Sequence, residues 1–279
     1  MTRVLIHAGF HKTGTTSLQA LLERNRGKLA PYATIYVKEA LGDARFLGRL
    51  YGQFPSLLRR LRFRRGVRAF LAGIPNDPVI VISRESFSGM MLGFRGARLR
   101  KPRRYAPMAI PLAKELIRET RRRFGPDVQI EFLYTIRDSE AFLNSAWRHV
   151  LRTSRLTQDY AAFRAEFTPA PDLSAEAQEI ARAIAPVPVH IAALEEYADD
   201  PLGPGRALLD LLGVPAAAQE KLRPVTRHNP GQSAELSAQF LEMNRGTLRG
   251  RALYRAKEAL AMAERPADTR RKPRYDRDT

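Results

Sequence analysis

Within eight residues, Gly9-Phe10-His11-Lys12-Thr13-Gly14-Thr15-Thr16 combines two glycines, a lysine and three threonine hydroxyls. The segment follows the apolar run Val4–His7 and opens a helical pattern at Thr16. A glycine-containing turn at such a junction lets backbone N–H groups converge on an anion, and the start of a helix adds partial positive charge. Gly14 tolerates positive φ and brings backbone close to a ligand. Thr15 and Thr16 can cap the helix and donate hydroxyls. The chemistry served is the holding of a phosphate or sulfate group.

Gly9, Gly14 and the hydroxyl of Thr16 match the spacing of the nucleotide-triphosphate loop G-x-x-x-x-G-K-[ST]. Thr15, however, stands where that loop has its lysine, and the lysine is Lys12, inside the loop. Nor does an acidic magnesium partner follow a later strand, because those strands end in Ser83-Arg84-Glu85 and Arg137-Asp138. A magnesium-dependent kinase is therefore the weaker reading. His7 and His11 straddle a strand end and a loop with no third ligand in view, so they are not read as a metal pair.

His11-Lys12-Thr13-Gly14-Thr15-Thr16-Ser17-Leu18-Gln19 resembles the 5′-phosphosulfate loop of sulfotransferases that use 3′-phosphoadenosine 5′-phosphosulfate (PAPS). The resemblance implies that Lys12 contacts the sulfuryl group and the leaving phosphate. It implies that His11, Thr13, Gly14, Thr15, Thr16 and Ser17 surround the 5′-phosphate. A second element is similar to the family's 3′-phosphate site: Arg137 at a strand end, with Ser145 on the following helix. Arg227 and Asn229 resemble the late loop that closes over the nucleotide. The alternative for Arg137 is an ion pair with Asp138, and for Arg227–Ser233 a turn with a helix cap.

An acceptor hydroxyl or amine must lose its proton as it attacks, which calls for a general base within hydrogen-bond reach. The family uses a His or Glu. Glu85, directly after the run Val79–Ser83, takes that place, since open parallel sheets hold ligands at the carboxyl ends of their strands. Its structural alternative is a pair with Arg84. Glu39, after Thr34–Val37, is the second candidate. The transferred group bears less charge than a γ-phosphoryl group, so no metal is expected. The reaction implied is sulfuryl transfer from PAPS to an acceptor, leaving 3′-phosphoadenosine 5′-phosphate (PAP).

The elements that must position these residues are legible in the apolar pattern. Strands are expected at Val4–His7, Thr34–Val37, Val79–Ser83, Val128–Ile136 and Val187–Ile191. VIVIS is a continuous apolar run, as in a strand covered on both faces. Helices are expected at Thr16–Arg26, Pro111–Phe124, Glu140–Arg152, Ser174–Ile184, Arg206–Leu212, Ser233–Gly246 and Arg251–Ala263. Alternation of the two predicts an α/β fold with a parallel sheet. The resemblance implies the finer class, a P-loop NTPase-like three-layer fold with a central parallel sheet of four to five strands. One domain over 1–265 and a polar tail over 266–279 are expected.

The 279 residues hold 44% hydrophobic and 27% charged residues, an ordinary globular balance, and no cysteine, which excludes disulfides and thiolate sites. Val4–Ile6 is too short for a signal-peptide core, and no stretch reaches the roughly 20 apolar residues of a spanning helix. A soluble cytoplasmic protein is expected. Lys and Arg number 47 against 29 acids, net +18, and all but eight of them are Arg. Arginine suits planar capture of phosphate and sulfate. Arg59–Arg68 and Arg95–Arg104 are acid-free basic runs. They read as solvated faces, or as a basic rim for an anionic glycan, lipid headgroup or metabolite acceptor, with peripheral contact at the inner face of the membrane. Nucleic acid as the partner is the weaker reading, because no recognisable motif accompanies the charge.

Overall fold

A computed structural model describes residues 1–94, 101–224 and 232–264. Five strands form one sheet: β1 (Arg3–His7), β2 (Thr34–Val37), β3 (Val79–Ser83), β4 (Gln129–Ile136) and β5 (Val189–Ala193). Every pairing is parallel and the order is β2-β3-β1-β4-β5. The helices are α1 (Thr15–Arg24), α2 (Arg26–Leu29), α3 (Ala44–Gln53), α4 (Leu57–Ala72), α5 (Ala106–Phe124) and α6 (Ser139–Thr153), then α7 (Tyr160–Ala165), α8 (Leu173–Ile184), α9 (Gly205–Leu211), α10 (Ala216–Gln219), α11 (Ala234–Arg245) and α12 (Gly250–Ala263). The arrangement is α/β, with one parallel sheet between helices, consistent with three layers.

The chain divides into two compact units, one of Met1–Phe142 with Pro169–His228, the other of Leu143–Thr168 with Asn229–Thr279. The first holds the sheet. Its inner strands β1, β3 and most of β4 are buried on both faces, whereas the edge strands β2 and β5 are half-exposed. Leu5, Val81, Leu133 and Ala192 pack with Leu18, Leu21 and Leu22 of α1 and Leu208 and Leu209 of α9. From the alternate positions of β4, the rings of Phe132 and Tyr134 stack with centroids 6.2 Å apart, and Phe10 and Tyr105 continue the ring cluster. In the second unit, buried Lys257 of α12 donates to the carbonyls of Leu151 and Ser154 at 2.8 Å, closing the end of α6.

The chain leaves β1 for β2 on one side and leaves β4 for β5 on the other. The order therefore reverses between the carboxyl ends of β1 and β4, the position at which open parallel sheets bind ligands. The loops that follow both strands meet there.

Three expectations change. The basic run Arg59–Arg68 lies on α4, a helix not anticipated, and three of its arginines pair with buried carboxylates of α5. Arg60 bonds Glu115 at 2.6 Å, and Arg68 bonds Glu119 at 2.8 Å with Arg64 at 4.0 Å. α5 begins at Ala106 and carries Pro111 inside it, so Pro111 is not its first residue. α3 was likewise not expected.

Candidate functional site

The loop from Ala8 to Gly14 starts on a buried polar layer at the carboxyl ends of three strands. His7 pairs in register with Ser83 of β3 and Leu133 of β4, which puts its imidazole on the same face as Ser83 and Thr135. His7 Nδ1 lies 2.7 Å from Ser83 Oγ, and Nε2 lies 3.4 Å from Thr135 Oγ1. Thr135 Oγ1 is in turn 2.7 Å from Thr13 Oγ1, which donates to the Phe10 carbonyl at 2.6 Å. Burial holds the His7 imidazole neutral, down from 6.5 to about 4, against the opposing pull of Glu85. Gly9 is required by this packing: a Cβ there would stand 2.4 Å from His7 Nε2 and 2.5 Å from Thr135 Oγ1.

The loop's curvature comes from two left-handed residues, Lys12 at φ 66° and Gly14 at φ 87°. For a lysine this conformation is uncommon, and such backbone clusters at functional sites. Alternation of this kind turns successive N–H groups to one concave side. At Gly14 a Cβ would also meet Pro204 Cγ at 2.7 Å and Leu194 Cδ1 at 2.8 Å. Gly14 is the N-cap of α1 and brings no capping side chain. The expected threonine cap does not form, because Thr15 Oγ1 donates back to the Phe10 carbonyl at 3.3 Å. The first turn of α1 thus lacks a side-chain cap, which suits it to an external anion. Thr13 and Thr15 are buried with inward hydroxyls, whereas Thr16 is exposed and Ser17 half-buried.

Arg137, at the end of β4, is half-buried and donates from Nη1 to the Lys12 carbonyl at 3.4 Å. The guanidinium therefore touches the loop rather than pairing with Asp138, whose N–H donates to Glu195 Oε1 at 3.0 Å. Glu85 follows β3 in a short 3-10 turn, Glu85–Ser88. Its carboxylate accepts from Gln19 Nε2 at 3.2 Å and pairs with Arg84 at 3.3 Å. Burial pushes this carboxyl up, but Arg84, His11, its own backbone N–H and Gln19 together hold it below the usual carboxylate range. Gln19 also donates to the Ser83 carbonyl at 3.2 Å. Glu85, β3 and α1 are thereby tied to one another.

His11 stacks near-parallel to Tyr105, with Nδ1 3.3 Å from the hydroxyl. Burial lowers its imidazole to about 4; Glu85 opposes the shift, and Arg84, Arg49 and Lys12 add to it. His11 is therefore neutral at pH 7, and the charges acting on it mark the rim of the site. Glu39 lies apart from this cluster, four-fifths exposed and 3.6 Å from Arg45. Ser145 is a half-buried residue of α6 in the second unit. Arg227 and Asn229 lie outside the described residues.

The sequence reading missed His7, Ser83, Thr135 and Gln19 as parts of the site, and Arg49 and Arg84 as its rim. The signal for His7 was present in the register: a polar residue closing an apolar strand, with Ser83 and Thr135 at the matching ends of β3 and β4. Among the described residues, no cluster of three His, Asp or Glu is placed to hold a metal ion, and no helix is long and apolar enough to cross a membrane. No protein-family model matches the chain, and no curated protein sequence matches it.

Proposed function

We propose that this chain is a PAPS-dependent sulfotransferase with a P-loop-like donor site. The observation that carries the reading is the contact of Arg137 with the Lys12 carbonyl. It joins, at a topological switch point, the two sequence elements on which the family resemblance rests, 125 residues apart in the chain.

The donor supplies an activated sulfuryl group; the remaining work falls to the chain's own residues. The N–H groups at the start of α1, with the hydroxyls of Thr16 and Ser17, receive the 5′-phosphate. The Lys12 ammonium and those N–H groups stabilise the negative charge that grows on the leaving phosphate. Arg137 grips the 3′-phosphate through charge-assisted hydrogen bonds. Glu85 is ionised at neutral pH and takes the acceptor's proton. Its lowered basicity predicts an activity profile whose acid limb falls below the usual carboxylate range. His11, neutral against Tyr105, orients the donor by hydrogen bonding rather than by charge. The arginines of the rim favour an anionic acceptor, such as a sulfated or carboxylated glycan or a phosphorylated headgroup or metabolite.

The test is calorimetric titration of the whole chain with PAP, ADP and Mg-ATP at moderate salt. Micromolar PAP binding, with ADP much weaker and no magnesium effect, is expected. Equal affinities, or Mg-ATP binding best, would replace this reading with the kinase one.

A further inference from the structure

α3 turns two glycines inward and two large apolar side chains, Phe46 and Leu50, outward. Its buried face is made of Ala44, Gly48, Tyr51 and Gly52. The glycines let the helix lie directly on the segment after β3: a Cβ at Gly48 would stand 2.1 Å from the Ser86 carbonyl oxygen, and one at Gly52 would stand 2.3 Å from the Met90 nitrogen. Phe46 and Leu50 point the other way, whereas Tyr51 is buried. Phe46 is 50% exposed and Leu50 38%, one helical turn apart, and the apolar surface continues through Phe54 at 43%, Leu57 at 71% and Leu58 at 60%. These are five of the eight large hydrophobics exposed among the described residues, gathered into thirteen positions of the chain. Scattered apolar residues need no explanation, but a contiguous exposed patch marks a binding face.

The charge around it indicates the occupant. From Ala44 to Asn76 the chain has eight arginines and no acid. Arg60, Arg64 and Arg68 are committed to Glu115 and Glu119. Arg45 lies 4.4 Å over the Phe46 ring and Arg59 4.6 Å over the Phe54 ring, which seats their cations on the apolar surface. Leu58, Arg62 and Arg65 follow one another at helical spacing along the outer face of α4, apolar at the tip and basic behind it. Along the chain, Glu39 and Asp43 precede α3 and the next acid after them is Asp77. An apolar tip backed by guanidinium groups matches the cross-section of an anionic bilayer surface: acyl chains beneath, phosphate headgroups above.

We propose that the corner formed by α3 and the first turns of α4 docks the protein on an anionic lipid surface, with Phe54, Leu57 and Leu58 entering the acyl boundary and Arg59, Arg62 and Arg65 engaging headgroup phosphates. The inference does not depend on the reaction. Because α3 also carries Arg49 of the rim and accepts from Arg84 and Ser86 at the Arg45 carbonyl, docking there would bring the candidate site close to the membrane.

The test is co-sedimentation of the full chain with phosphatidylcholine vesicles, with and without phosphatidylglycerol. A net charge of +18 attracts any protein to anionic vesicles, so the deciding variant leaves charge unchanged. Leu57→Ser/Leu58→Ser is expected to weaken binding to phosphatidylglycerol vesicles by tenfold or more, with an unchanged circular dichroism spectrum. Phe54→Trp is expected to add an emission component that shifts to the blue on vesicle addition. Equal binding by the serine variant, absence of the blue shift, or no vesicle binding at all would overturn the proposal. So would a wild-type dimer in lipid-free solution that the serine variant converts to monomer, since a second copy would then be the occupant.

Discussion

Lys12 holds a left-handed backbone that a glycine would adopt more readily, and its carbonyl receives Arg137. The loop is thus built to fix this lysine rather than to tolerate it. Lys12→Ala is expected to lower turnover by about 10²–10³-fold, the usual cost of one donor aimed at developing charge, while PAP affinity falls less than tenfold. Turnover equal to wild type in single-turnover assays would remove Lys12 from the reaction. Arg137→Ala should act on binding instead: a lost charge-assisted hydrogen bond is worth about 1.5–3 kcal/mol, which would erase most of the preference for PAP over ADP. A preference that survives in calorimetry would send the 3′-phosphate elsewhere. Glu85→Gln keeps the shape and the Gln19 contact but cannot take a proton. Turnover should fall about 10²-fold at unchanged donor affinity, and wild-type turnover in that variant would remove Glu85 as the base.

At the scale of elements, two buried carboxylates on α5 decide where α4 sits. Glu119 is 1% exposed and faces Arg68, Arg64 and Arg122, and the Arg68 hydrogen bond leads in holding its carboxyl below the usual range. Glu119→Gln should destabilise the fold by about 1–3 kcal/mol in urea, as expected when a buried partner of charged groups loses its charge. Arg62→Gln, on the outer face of the same basic run, should stay within about 0.5 kcal/mol. Equal effects would mean that the run is a solvated face throughout. The contrast explains which elements were legible in sequence. β2 and β3 were read residue for residue, because continuous β-branched runs have few alternatives. α4 was hidden because charge dominates its sequence, although Phe63, Val67 and Leu71 form a buried stripe at helical spacing. α3 was hidden because Gly48 and Gly52 fill part of its inner face while Phe46 and Leu50 lie on its outer one, which blurs the apolar stripe that signals a helix in water. The loop motif was legible because Lys12, Gly14 and the threonines follow one another in the chain. The His7 layer could not be read the same way, since its partners come from strands far apart in sequence and meet only through the register.

The whole molecule is poised to lose stability in mild acid. Folding keeps His7 fully buried and neutral, at about 4 rather than 6.5, so between those values the unfolded chain binds a proton that the folded chain refuses. Stability from this group is complete above pH 6.5 and lost as the pH falls toward 4, amounting to about 3 kcal/mol at 1.36 kcal/mol per pH unit. His11 acts in the same direction over the same window. Below it the carboxylates take over: Glu85, Glu119 and Glu131 all titrate below their ordinary value in the folded state, so each contributes stability above 4.5 that is lost as the pH falls through its lowered value. Protonation of these acids also raises a net charge already at +18, adding self-repulsion that only salt can screen. Urea midpoints should therefore fall in two stages, a histidine stage from pH 6.5 to about 4 and a steeper carboxylate stage below. His7→Gln can still face the Ser83 and Thr135 hydroxyls but carries no proton to refuse. Its stability should start lower at pH 8 yet decline less between pH 6.5 and 4.5, with the lower stage unchanged. An upper stage as steep as wild type would show that His7 is not what makes the fold acid-sensitive and would shift that role to His11 at the rim of the site.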